Sequence, residues 1–110
     1  MSGQYDNLPD DIKDFLKQLH EVAQDSTMYL FGSYARGTAG PDSDVDILLI
    51  DRKVPTQRTG RIGDLRALMR GKIKRPYDLL VTDVSEIERR KNDRWWVGYK
   101  AVHEGIKIYE

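Results

Sequence analysis

Residues 32–50, GSYARGTAGPDSDVDILLI, decide how this chain is read. A glycine–serine pair is followed, after ten residues, by two aspartates separated by one valine, and then by an apolar run. DVDILLI (44–50) has the composition of a β-strand, and its continuously apolar later part suits a central strand covered on both faces. Residues two apart on a strand share a face, so Asp44 and Asp46 are expected together, about 6–7 Å apart at Cα, with Val45 turned into the packing. Like charges at that range repel, and desolvating them costs more still. Either water solvates the pair or a cation sits among its oxygens.

Upstream of this stretch, TMYLF (27–31) is β-rich and ends at Gly32, so it reads as a strand. SYARG then has room for a turn or two of helix from Ser33, and AGPDS (39–43) reads as a loop. Further back, Asn7 and Pro9 resemble a helix start. Ile12, Phe15, Leu16, Leu19, Val22 and Ala23 follow at amphipathic spacing.

Downstream, a linker with Pro55 and Gly60 leads to a helix carrying Ile62, Leu65, Leu68 and Met69 and stopped at Gly71. YDLLVTD (77–83) is a third strand, and residues 84–105 hold one or two helices capped by Asp83 or Ser85. IKIYE closes the chain as a short strand. Such alternation of helix and strand predicts a single α/β (α+β) domain over 1–110, a mixed sheet with flanking helices.

Composition narrows the class. The chain has 110 residues, enough for one modest core, and it has no cysteine, which excludes disulfides and thiolate metal sites. No apolar run approaches the roughly 20 residues of a membrane span, and no secretion signal is visible, so the expected location is cytoplasmic. Net charge is zero, yet residues 52–76 hold nine Lys or Arg against one acid, Asp64. That imbalance suits either a polyanionic ligand or a solvated helix with its loops.

An all-oxygen donor pair favours Mg²⁺, and two-metal phosphoryl sites hold ions roughly 3.5–4 Å apart. A third oxygen ligand is expected from a neighbouring strand. Asp78 is the candidate, an acid at the start of the otherwise apolar strand YDLLV. Asp83 is better read as a helix cap and Asp51 as solvent-exposed. Gly32 leaves room for a phosphate to approach the backbone, while Ser33 offers a hydroxyl and helix-start amides. Arg36 either reaches phosphate or pairs with a nearby acid.

Tyr34 is expected on the surface, His20 and His103 at the surface or boundary. Of Trp95 and Trp96, which point about 100° apart on a helix, one is expected to pack and the other to be exposed.

Gly32-Ser33, ten residues, then Asp44-x-Asp46 resembles the signature of the DNA polymerase β-like nucleotidyltransferases. The longer string GSYARGTAGPDSDVDILL, the strand-borne Asp78 and the closing EGIKIYE are similar to its minimal nucleotidyltransferases. The resemblance implies a polymerase β-like fold and transfer of a nucleotide from a nucleoside triphosphate, with two Mg²⁺ ions and pyrophosphate as leaving group. It further implies that Asp44, Asp46 and Asp78 hold metal and that Gly32 and Ser33 hold the triphosphate. Asp78 would also lie beside the attacking hydroxyl.

Many of the minimal enzymes resemble antitoxins that move AMP from ATP to a tyrosine of an all-helical HEPN-domain RNase toxin. That partner is therefore expected here, without a membrane or direct nucleic-acid contact. The alternatives are a non-catalytic toxin-binding module and a small-molecule nucleotidyltransferase. The short chain, with no helical acceptor domain evident, weighs against the latter.

Overall fold

The computed structural model describes residues 3–51 and 61–109. Ten elements follow in chain order: α1 (Gly3–Asp6), α2 (Asp10–Val22), β1 (Ser26–Phe31), α3 (Ser33–Arg36), β2 (Val45–Asp51), α4 (Arg61–Met69), β3 (Tyr77–Asp83), α5 (Val84–Arg90), α6 (Tyr99–Glu104) and β4 (Ile106–Tyr109). The expected linker with Pro55 and Gly60, and the basic residues Arg52, Lys53 and Arg58, lie outside the described residues.

The four strands form one mixed sheet in the order β3-β2-β1-β4. β1 is antiparallel to both β2 and β4, whereas β2 and β3 run parallel. A parallel pair needs a crossover, and α4 lies between β2 and β3 in the chain. The expected domain with a mixed sheet and flanking helices is therefore the observed one.

Alternation along β2 divides its residues between two faces. Val45, Ile47 and Leu49 join Ile12, Phe15, Leu16 and Leu19 of α2, Leu65 and Met69 of α4, and Leu79 and Val81 of β3 in the main core. The apolar stripe read from sequence thus joins the core at Ile12, Phe15, Leu16, Leu19 and Ala23, but Val22, the last residue of α2, is exposed. Asp46, Leu48 and Ile50 lie on the opposite face. There Leu48 is buried outside the main core cluster, as are Trp96 and Ala101. One strand therefore carries core on one side and a polar position on the other.

Three expectations are corrected. Asp51 is buried, not solvent-exposed, because alternation places it on the core face of β2, in register with buried Asp83. Tyr34 is also buried: α3 turns its ring into the core, and its hydroxyl accepts a 3.0 Å hydrogen bond from Arg75 Nη1. Arg75 Nε in turn donates to Asp11 Oδ2 at 2.7 Å, so one member of the basic stretch is engaged within the fold. The third correction is one of boundary: Asp44 precedes β2 and does not belong to it.

Candidate active site

The site is built where β1 ends and β2 begins. Phe31, the last residue of β1, is in register with Asp46 across the antiparallel pair, so Gly32 follows directly beside the Asp46 carboxylate. Gly32 adopts φ 76°, ψ −156°, a conformation reserved almost entirely for glycine. A Cβ at this position would fall on Asp46 Oδ2 and 3.1 Å from its Cγ. The expected reason for this glycine was room for a phosphate. The structure adds left-handed backbone and the close approach of a carboxylate.

The carbonyl of Gly32 accepts from the amides of Ala35 and Arg36, both at 3.1 Å, which fixes the single turn of α3. Gly37, at φ 76°, ψ 18°, ends that turn in the left-handed region. The loop after it is closed at 40–43 by two bonds. The Gly40 amide donates to Ser43 Oγ at 2.9 Å, and the Ser43 amide donates to the Gly40 carbonyl at 3.1 Å. Asp44 comes immediately after this turn. The Val45 amide then donates to the Pro76 carbonyl at 3.0 Å, tying the entry of β2 to the entry of β3.

An open pocket of about 450 Å³ lies here, lined among others by Gly32, Ser33, Arg36, Asp44, Asp46 and Lys100. Five of the six expected site residues therefore converge on one cavity. The sixth, Asp78, does not line it. It stands one strand over, in parallel register with Asp46 and therefore on the same face of the sheet. Asp46 sits between the glycine–serine turn on one side and Asp78 on the other.

Electrostatics link the three acids. Desolvation pushes the Asp46 carboxyl above its ordinary value, and the charges of Asp78 and Asp44 push it further, while Arg36 opposes them. Arg36 is thus close enough to act on Asp46, although it forms no ion pair with a described residue. Among the described residues, no three histidine or acidic side chains converge into a ready-made metal cage.

Two charged lining residues, Lys100 and Asp42, were missed by sequence reasoning. Lys100 had no signal to find it by, since a lysine on a polar helix is ordinarily solvated. Asp42 was legible only as a loop residue. His20 and His103 lie away from the pocket: His20 stacks on Tyr109 with ring centroids 4.1 Å apart, and His103 meets the Lys91 carbonyl.

A Gly-Ser turn facing paired strand carboxylates, on a sheet with one parallel and two antiparallel pairings, defines a nucleotidyltransferase. Residues 10–106 match the nucleotidyltransferase domain family, and the chain belongs to it. Two relatives come from Methanocaldococcus jannaschii. "Putative protein adenylyltransferase MJ0141" is 33% identical over 75 residues, covering 66% of this chain and 73% of the relative. "Putative protein adenylyltransferase MJ1305" is 40% identical over 60 residues, covering 53% of this chain and only 41% of that longer relative. A solved structure described as a putative nucleotidyltransferase from Sulfolobus solfataricus has the same fold, with a TM-score of 0.52 at 23% identity. The match covers 78% of this chain and 76% of that one. The enzyme's substrate is accordingly a nucleoside triphosphate, and the family generally works with a divalent metal. No helix of the described residues is long and apolar enough to cross a membrane.

Proposed function

We propose that this enzyme transfers AMP from ATP to a tyrosine hydroxyl of a HEPN-domain toxin, with two Mg²⁺ ions. The observation that carries the reading is the position of Asp46, flanked by the Gly32–Ser33 turn on one side and by Asp78 on the other. The names of the two archaeal relatives support a protein as the acceptor.

The donor set suits the metal. Mg²⁺ takes oxygen ligands and is usually bound by one or two carboxylates together with substrate phosphates, not by an all-protein cage. Asp44, Asp46 and Asp78 supply carboxylate oxygens, and their mutual repulsion is the kind a divalent cation relieves. Bound there, such ions neutralise charge on the triphosphate and on the departing pyrophosphate.

The residues divide the remaining work. Asp44 and Asp46 offer the metal-holding oxygens, with Asp78 as the third. The hydroxyl of Ser33 and the guanidinium of Arg36 hold phosphate oxygens, and Gly32 keeps the turn close to Asp46. Asp78, outside the pocket on the far side of Asp46, faces the approach of the acceptor. The acceptor oxygen bonds to the α-phosphorus and gives its proton to the Asp78 carboxylate. The bond from the α-phosphorus to the bridging oxygen breaks, and pyrophosphate leaves with the electron pair.

The test is incubation of the chain with a candidate helical partner, Mg²⁺ and α-labelled ATP. Label is expected on the partner, and is expected to vanish with chelator, with Asp46→Asn, and with Phe in place of the acceptor tyrosine. Label found only on small molecules, or nucleotide bound but never transferred, would overturn the proposal.

A further inference from the structure

One basic group in the pocket has no assigned role. Lys100 lies on α6 and shares the cavity with Gly32, Ser33, Arg36, Asp44 and Asp46. Its neighbour Ala101 is fully buried, which anchors this turn of α6 and holds the lysine backbone at the cavity wall. The side chain itself is exposed.

We infer that Lys100 binds the β- and γ-phosphates of the bound triphosphate and stabilises the pyrophosphate as it leaves. This rests on the phosphate side of the site proposed above. Two cations line the pocket, and they are not equivalent. Arg36 belongs to α3, beside the Gly32–Ser33 turn, whereas Lys100 reaches the pocket from α6. Lys100 forms no ion pair with any described residue, although Asp42, Asp44 and Asp46 share its pocket. Its charge is uncommitted to the protein and available to an anionic ligand.

Transfer creates the matching need. When the bond between the α-phosphorus and the bridging oxygen breaks, the electron pair stays with pyrophosphate, and a positioned cation stabilises that developing charge. An ammonium on a flexible four-carbon stem, with three rotatable donors, can follow the phosphates as they separate.

Calorimetry on the full chain with Mg²⁺ tests this, with inorganic pyrophosphate and AMP as separate probes. Lys100→Met is expected to weaken pyrophosphate binding about tenfold, the loss of one charge-assisted contact. Lys100→Arg, which keeps the charge, is expected to stay within about threefold, and AMP binding to change by less than about twofold in both. Ser33→Ala is measured alongside and is expected to weaken pyrophosphate binding as well.

If Ser33→Ala weakens pyrophosphate binding and Lys100→Met does not, the role of Lys100 falls and the phosphate site stands. A wild-type chain that binds no pyrophosphate, or binding that neither variant alters, removes the phosphate site and Lys100 with it. Equal loss of AMP and pyrophosphate binding in Lys100→Met also overturns the assignment, because a general disturbance does not select the leaving end.

Discussion

Gly32 is the residue at which fold and chemistry constrain the same atom. Its backbone lies where an L-residue costs about 1–3 kcal/mol, and a side chain there would displace the Asp46 carboxylate. Gly32→Ala is therefore expected to lower stability by about that amount and to abolish transfer, read by urea denaturation and by turnover. Gly71→Ala is the control: it shares φ 76° but has open space around the added carbon, so it should lose stability and keep transfer.

Asp46 presents the opposite case, a residue that weakens the fold it occupies. Its carboxyl lies above the ordinary 3.8 through desolvation first and through Asp78 and Asp44 next. The native state therefore holds the Asp46 proton more tightly than the unfolded chain does. Stability from this group is lost as pH rises through the raised value, and the cost disappears as pH falls below 3.8. Asp46→Asn is expected to raise the metal-free Tm near neutral pH, with a gain that shrinks toward acid, while transfer is lost. A pH series of melts in chelator reads the first effect. A variant no more stable than wild type at neutral pH would refute this account.

At the level of elements, the segment joining α5 to α6 separates two adjacent tryptophans by burial. Trp96 is 7% exposed and lies over Gly98, whose added Cβ would meet the indole at 2.7 Å. Trp95 is 91% exposed. Trp96→Ala is expected to cost about 3–5 kcal/mol, and Trp95→Ala to leave Tm nearly unchanged. Quenching of fluorescence by iodide should be strong in Trp96→Ala, which keeps the exposed ring, and weak in Trp95→Ala. The split was expected in advance from helical geometry, but the helix stops at Arg90 and both tryptophans lie in the segment before α6, where the chain still turns only one of them inward.

Helix α2 was legible for a related reason, since its apolar stripe has only one way to be buried. Tyr34 was not. Nothing local shows that Arg75, forty-one residues away, would satisfy a buried phenol, and the burial of Asp51 follows from a register that only the assembled sheet determines. The acids of the site were legible as a spacing. Their coupling was not, because it depends on Asp46 and Asp78 falling opposite one another across the parallel pair.

For the whole molecule, the sheet joins a helical N-terminal segment to a C-terminal strand, and three rings lie at that junction. Tyr109 of β4 stacks on His20 of α2, and its hydroxyl meets that of Tyr5 of α1 at 3.2 Å. Desolvation, followed by the hydrogen bond with Tyr5, pushes the Tyr109 phenol up from 10.0 to about 12. The native state then keeps this proton over a range in which the unfolded chain has released it. The stability this contributes is fully present below 10.0 and lost as pH rises through about 12. An alkaline titration followed by tyrosinate absorbance should show one tyrosine ionising late and together with loss of structure. Tyr109→Phe removes the titrating group and keeps the ring, so the decline of Tm across that alkaline range should flatten. Tyr5→Phe removes only the smaller cause, because desolvation remains, and should move the late ionisation partway back. An unchanged alkaline slope in Tyr109→Phe would show that the two ends of the chain are held together by contacts other than this phenol.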